Sequence, residues 1–131
     1  ETNGKTSKFY SDYYEEKFTL PEFFEKDFKL ISGKDCTVME LPTTLLIYQN
    51  ENNDELSLFI TNNSMKSDKV AKSLSELTKK SAGSQDYYLG TGDCGMCSII
   101  IWEIDSYIYA IVTHLNEKDI IEVAIRRYKD A

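Results

Sequence analysis

Apolar and polar positions along this chain follow two different periods, and the changes of period mark the elements. Aromatics crowd the stretch from Lys8 to Phe28, with Phe9 and Tyr13, and Tyr10 and Tyr14, four residues apart, a helical spacing. Thr19-Leu20-Pro21-Glu22 then reads as a fresh helix start. Thr19 caps, Glu22 completes a capping box, and the early proline has no helical N–H to lose. A short helical turn is expected from Pro21 to about Lys26.

Strand patterns follow. Phe28 to Ile31 alternates in part and stops at Ser32-Gly33, and Cys36 to Leu41 is short and ends at Pro42. Thr43 to Gln49 and Glu55 to Thr61 flank the turn-forming Asn50-Glu51-Asn52-Asn53-Asp54, which makes a hairpin. Over Ser67 to Lys80 the period lengthens: Val70, Leu74 and Leu77 share a helical face, and Gly83 lies just beyond. Ser81 to Gly95 reads as a glycine-containing loop. Cys97 to Ile104 and Tyr107 to His114 flank Asp105-Ser106 as a second hairpin, apolar on both faces and therefore central in its sheet. Asn116 to Asp119 caps a closing helix whose Ile120, Ile121, Ala124, Ile125 and Tyr128 form an apolar stripe.

These elements predict an α+β fold. An antiparallel sheet of about five or six strands, built from two hairpins, carries helices mainly on one face, the C-terminal helix among them. A sheet curled into a half-barrel is the alternative. Residues 1–18 read as a polar tail and an aromatic helical lead-in, and residues 19–131 as a single domain.

Composition narrows the function classes. The chain has 131 residues, 22 acidic and 15 basic, for a net charge of −7, with 41% hydrophobic and 28% charged residues. That balance belongs to a chain able to build a core. The acidity argues against nucleic acid, which is held chiefly by clustered lysine and arginine. Arg126 and Arg127 end a helix and suit its negative pole instead. The longest apolar run, Ser98 to Trp102, falls far short of a membrane span. The chain starts at Glu1 rather than Met, so something upstream is expected to have been removed, and an absent signal peptide or anchor proves nothing.

The chemistry-bearing candidates are the three cysteines and the single histidine. Cys94 and Cys97, within Asp93-Cys94-Gly95-Met96-Cys97, have the spacing of a redox disulfide or of two thiolates on one metal. Cys36 and His114 would complete a zinc set, and Met96 between the thiols also suits copper(I). An inert Cys94–Cys97 disulfide, or buried free thiols, stands beside those readings. Haem attachment is excluded because residue 98 is Ser. A thioredoxin-like role needs a helix start after the pair, and here a strand follows. The glycines at 90–95 lack the Gly-Lys-Ser/Thr ending of a phosphate loop. No carboxylate pair stands out for acid–base work, so a catalytic reading has no residues to rest on.

Three blocks resemble a known family. Leu20-Pro21-Glu22 through Leu30-Ile31-Ser32-Gly33, then Thr43-Thr44-Leu45-Leu46-Ile47-Tyr48 through Leu58-Phe59-Ile60, then Trp102, Tyr109-Ala110-Ile111-Val112 and Leu115-Asn116-Glu117 follow in order. Together they are similar to the extracytoplasmic domain of bacterial transmembrane anti-sigma factors. Ser32 stands where the family has glycine, the cysteine pair has no counterpart, and the family's cytoplasmic zinc motif is absent. The resemblance implies a non-catalytic extracytoplasmic sensor or interaction domain of a membrane-anchored regulator. It would have a protein partner, no nucleic acid and no cofactor, and would meet the membrane only through a segment upstream of residue 1. The alternative is a small secreted thiol-redox or metal-binding protein using Cys94 and Cys97.

Overall fold

A computed structural model describes residues 12–20, 28–38, 40–62, 75–82, 85–91 and 97–114. Seven strands run in chain order: β1 (Lys29–Val38), β2 (Leu41–Gln49), β3 (Glu55–Asn62), β4 (Thr78–Ala82), β5 (Gln85–Thr91), β6 (Ser98–Ile104) and β7 (Tyr107–Thr113). They form one antiparallel sheet in the order β1-β2-β3-β7-β6-β5-β4. Two meanders, β1 to β3 and β4 to β7, are thus laid side by side, the second reversed so that its last strand pairs with β3.

The expected α+β architecture is overturned. Strand accounts for 69% of the described residues and helix for 5%, the latter one turn at residues 12–15. The largest departure falls where Thr78 to Lys80 was expected to end a helix and Ser81 to Gly95 to be a loop. Thr78–Ala82 and Gln85–Thr91 are instead paired strands, from Thr78↔Leu89 to Ala82↔Gln85. The alternation of Tyr87 and Leu89, 3% and 2% exposed, carries β5. Leu77 itself is not helical. It sits at a bend, with its side chain on Gly90, where a Cβ would collide with it. The expected turn at 21–26 and the closing helix from Asn116 lie outside the described residues, as does residues 67–74 of the expected third helix.

Other expectations hold. Asn50 folds the β2–β3 loop around its own side chain: Oδ1 accepts from the backbone N–H groups of Asn52 and Asp54, both at 2.9 Å. Asn53 takes φ 65°, a conformation its short polar side chain tolerates. At the β6–β7 turn both Asp105 (φ 49°) and Ser106 (φ 71°) are left-handed, the geometry whose twist matches the flanking strands. This hairpin is indeed central, between β3 and β5. The two short strands expected at 28–31 and 36–41 are one long strand, β1. Its register slips at Leu30/Ser32, leaving Ile31 bulged and 40% exposed.

Directly paired residues share a face of the sheet, and the register defines one sealed face. Leu46, Leu58, Ile111, Ile100 and Leu89 form a row across five strands, each no more than 2% exposed. The next row, Ile60–Tyr109–Trp102, is equally buried, and Trp102 stacks on Tyr109 with centroids 5.6 Å apart. Tyr14, Phe18 and Leu20 pack onto this core. The turn at 12–15 brings Tyr14 there because the backbone N–H groups of Lys17 and Phe18 both bond to its carbonyl, at 3.0 and 2.9 Å. Gly33 leaves the space that the Tyr14 ring occupies.

Candidate functional site

The sealed face loses its apolar character toward the β1–β2 end. Beyond the aliphatic row, the register runs Asp35–Thr44–Ile60, and the strand ends bring Pro42, Asn62 and Tyr107 alongside. Phe18 stands over Tyr107 in an edge-to-face contact, centroids 5.4 Å apart. These groups, with Cys36 and Thr43, enclose a cleft of ≈ 340 Å³, within the size range of small-molecule sites.

The polar groups of the cleft are held by their strands. Buried Thr44 donates through Oγ1 to Asp35 Oδ1 at 3.3 Å. Thr43 and Thr61 share a buried hydroxyl–hydroxyl bond at 3.0 Å, and Thr43 Oγ1 also lies 3.0 Å from the Leu41 carbonyl, to which it donates. The Asp35 carboxylate is exposed at the edge strand and has no ion-pair partner within 4.0 Å among the described residues. Lys17 feels its charge but is engaged elsewhere: Nζ donates to the Tyr13 hydroxyl at 2.9 Å and lies 4.5 Å above that ring. That hydrogen bond, more than the Asp35 charge, holds the ammonium above the ordinary lysine range. Among the described residues the lining contains no Lys, Arg or His, and no nucleophile–base pair or paired carboxylates face one another across it. Its described lining holds one carboxylate and no second group placed to exchange a proton with it.

The residues singled out from sequence fall at two ends of the sheet. Cys97 precedes β6 and His114 follows β7, and because Ser98 pairs with Thr113 they are neighbours at adjacent strand ends. Cys97 is disulfide-bonded. Cys36 is a free, half-buried thiol. It lies in the row Cys36–Thr43–Thr61–Ile108, five residues along β7 from Thr113. At about 3.3 Å per residue that is roughly 16 Å along the strand, before the strands between β1 and β7 are crossed. The structure therefore does not bring Cys36 to Cys97 and His114, and zinc–sulfur and zinc–nitrogen bonds span only about 2 Å. Cys94 lies outside the described residues. Among the described residues no group of three or more His, Cys, Asp or Glu is arranged to hold a metal ion.

The cleft residues were not marked in the sequence. Asp35 is one acid among 22, and only the pairing of β1 with β2 sets it beside Thr44. The available signal was weak: Thr43-Thr44 ahead of an apolar strand, with Asn62 and Tyr107 at strand ends.

No protein-family model and no curated protein matches the chain. Among solved structures, a GTP binding regulator from Thermotoga maritima is similar in fold, with a TM-score of 0.57 over 80% of each chain and 12% sequence identity. At that identity the likeness extends to the arrangement of the strands and no further.

Proposed function

We propose that this chain is a non-catalytic sensor or interaction domain that works outside the cytoplasm, tethered to the membrane as part of an anti-sigma-like regulator. The observation that carries the location is the bonded state of Cys97, since disulfides persist in oxidising compartments and are rare in the reducing cytosol. The described strand residues of the three blocks that resemble the anti-sigma family are 29–33 on β1, 43–49 and 55–60 on the β2–β3 hairpin, and 102 and 109–112 on the β6–β7 hairpin. A cleft whose described lining holds one carboxylate and no second acid or base to pair with it supports a binding role. A nucleoside triphosphate is not proposed as its ligand, although the similar Thermotoga protein is described as a GTP binding regulator. Among the described residues the lining offers a carboxylate and no cation to face phosphates.

The test is thiol trapping in intact cells expressing the full-length protein, followed by peptide mass spectrometry. Cys36 should be alkylated at once and Cys97 only after reduction. Immediate alkylation of Cys97 in freshly trapped cells would overturn the extracytoplasmic reading. The bonded Cys97 equally fits a small secreted thiol-redox protein. That reading expects rapid, reversible reduction at the glutathione potential, whereas a structural disulfide resists it. Zinc or copper(I) binding through Cys97 would require reduction first, because thiolates are the ligands.

A further inference from the structure

The cleft at the β1–β2 end has a definite chemical polarity. Its floor is Ile60, its wall is the Phe18–Tyr107 aromatic pair, and its rim carries the Asp35 carboxylate and the Asn62 amide. The single hydrogen bond given to Asp35 within the described residues comes from Thr44, and at 3.3 Å it is long for a hydroxyl–carboxylate contact. Most of the carboxylate's accepting capacity therefore remains open to a donor in the cleft.

We infer that this cleft is a binding site for a small organic ammonium ion with an apolar body, held by Asp35 and packed against Phe18 and Tyr107. This rests on the reading of the chain as a binding domain and adds the ligand class to it. Three features select a cation over an anion or a neutral molecule. The carboxylate is the one formal charge among the described residues of the lining. Two aromatic rings line the same cleft, and such rings attract cations through their quadrupole. The net charge of −7 raises the local concentration of cations around the whole molecule. Lys17 illustrates the preference, as it lies over the neighbouring Tyr13 ring while sensing Asp35. The apolar floor at Ile60 and the ≈ 340 Å³ volume suit an organic body in preference to a hydrated metal ion.

The test is a titration of the isotopically labelled protein at fixed ionic strength, followed by backbone amide NMR. The probes are 2-phenylethylammonium, 2-phenylethanol and 3-phenylpropionate, which share a body and differ in the head group. Saturable shifts at Asp35, Thr44, Ile60, Asn62 and Tyr107 are expected with the ammonium, binding about tenfold or more tightly than the other two, as a charge-assisted hydrogen bond requires. Asp35→Asn should weaken the ammonium by about the same factor and leave the rest of the spectrum in place, since residue 35 is exposed. Tyr107→Leu should weaken it less. Equal binding of ammonium and alcohol, undiminished binding by Asp35→Asn, or no saturable shift with the ammonium would each overturn the inference. None of these outcomes bears on the thiol-trapping result, so failure here leaves the extracytoplasmic reading to its own test.

Discussion

The two faces of the sheet are made by the same strands, alternate residues going to each, yet they are buried to different depths. On one face Leu46, Leu58, Ile60, Ile100 and Ile111 are at most 1% exposed. On the other, Leu45, Ile47, Phe59, Ile99, Ile101 and Val112 are apolar too but only half-buried. Ile108, with Leu41, Leu77, Tyr88 and Ile101 around it, is its one small buried cluster among the described residues. The difference shows that hydrophobicity alone does not define a core. Burial contributes in proportion to the area removed from water, so the sealed face should carry most of the stability although both faces are apolar.

Truncations on the two faces would break or sharpen that contrast. Leu58→Ala should cost about 2–5 kcal/mol, read as a lower denaturation midpoint with an unchanged slope. Its strand neighbour Phe59, the larger side chain, should cost less when truncated, because it is only half-buried and part of its surface already meets solvent. If Phe59→Ala proves as damaging as Leu58→Ala, the faces do not differ in the way their exposure implies.

Gly33→Ala probes how the sealed face is closed. The new methyl would strike the Tyr14 ring, and overpacking of this kind costs about 1–3 kcal/mol. The penalty should shrink in the Gly33→Ala, Tyr14→Ala double variant relative to Tyr14→Ala alone, as a double-mutant cycle would show. A purely additive result would remove Tyr14 from the lid of this face.

Ser106→Gly at the β6–β7 turn should act in the opposite direction. Ser106 holds φ 71°, and glycine relieves that conformation, so a gain of about 1 kcal/mol and a higher Tm are expected.

The smallest effect belongs to the exposed β4–β5 edge. Asp86 accepts from the Ser81 hydroxyl at 2.7 Å and lies 3.5 Å from Lys79. The hydroxyl first, and the ammonium second, hold its carboxyl below the ordinary value of 3.8. A depressed carboxyl pKa stabilises the fold above that ordinary value, and the stabilisation fades as pH falls through the folded-state value. Asp86→Asn should therefore slightly lower the unfolding midpoint at neutral pH and have no effect in strong acid. The difference should diminish in high salt, as solvent-exposed pairs do.

Elements whose signals were local were legible before the structure. The Asn50–Asp54 loop, the Asp105-Ser106 turn and the strands on either side of each follow from side chains that act on their own backbone or alternate strictly. The β4–β5 hairpin was not legible. Thr78 to Ser81 is polar without period, as suits an edge strand that two lysines protect from further pairing, and the helical spacing that reaches Leu77 in the sequence drew the expected helix on over it. The bulge at Ile31 was equally hidden. It shifts the parity of β1, so that Gly33 and Asp35, rather than Ser32 and Lys34, share a face with Leu30.

By itself, then, the amino-acid sequence determined an acidic, core-forming chain and the central β6–β7 hairpin. Tertiary structure decided what lies beside what. The pairing of β3 with β7 joins residues some 50 positions apart, and it places Ile60 next to Tyr109 and the cleft at the end of that row. The same register sets Cys36 far from Cys97 and His114. Strand pairing between distant segments depends on which hairpin docks on which and in what register, and a one-residue slip there reverses every side chain. No local pattern in the chain records that choice.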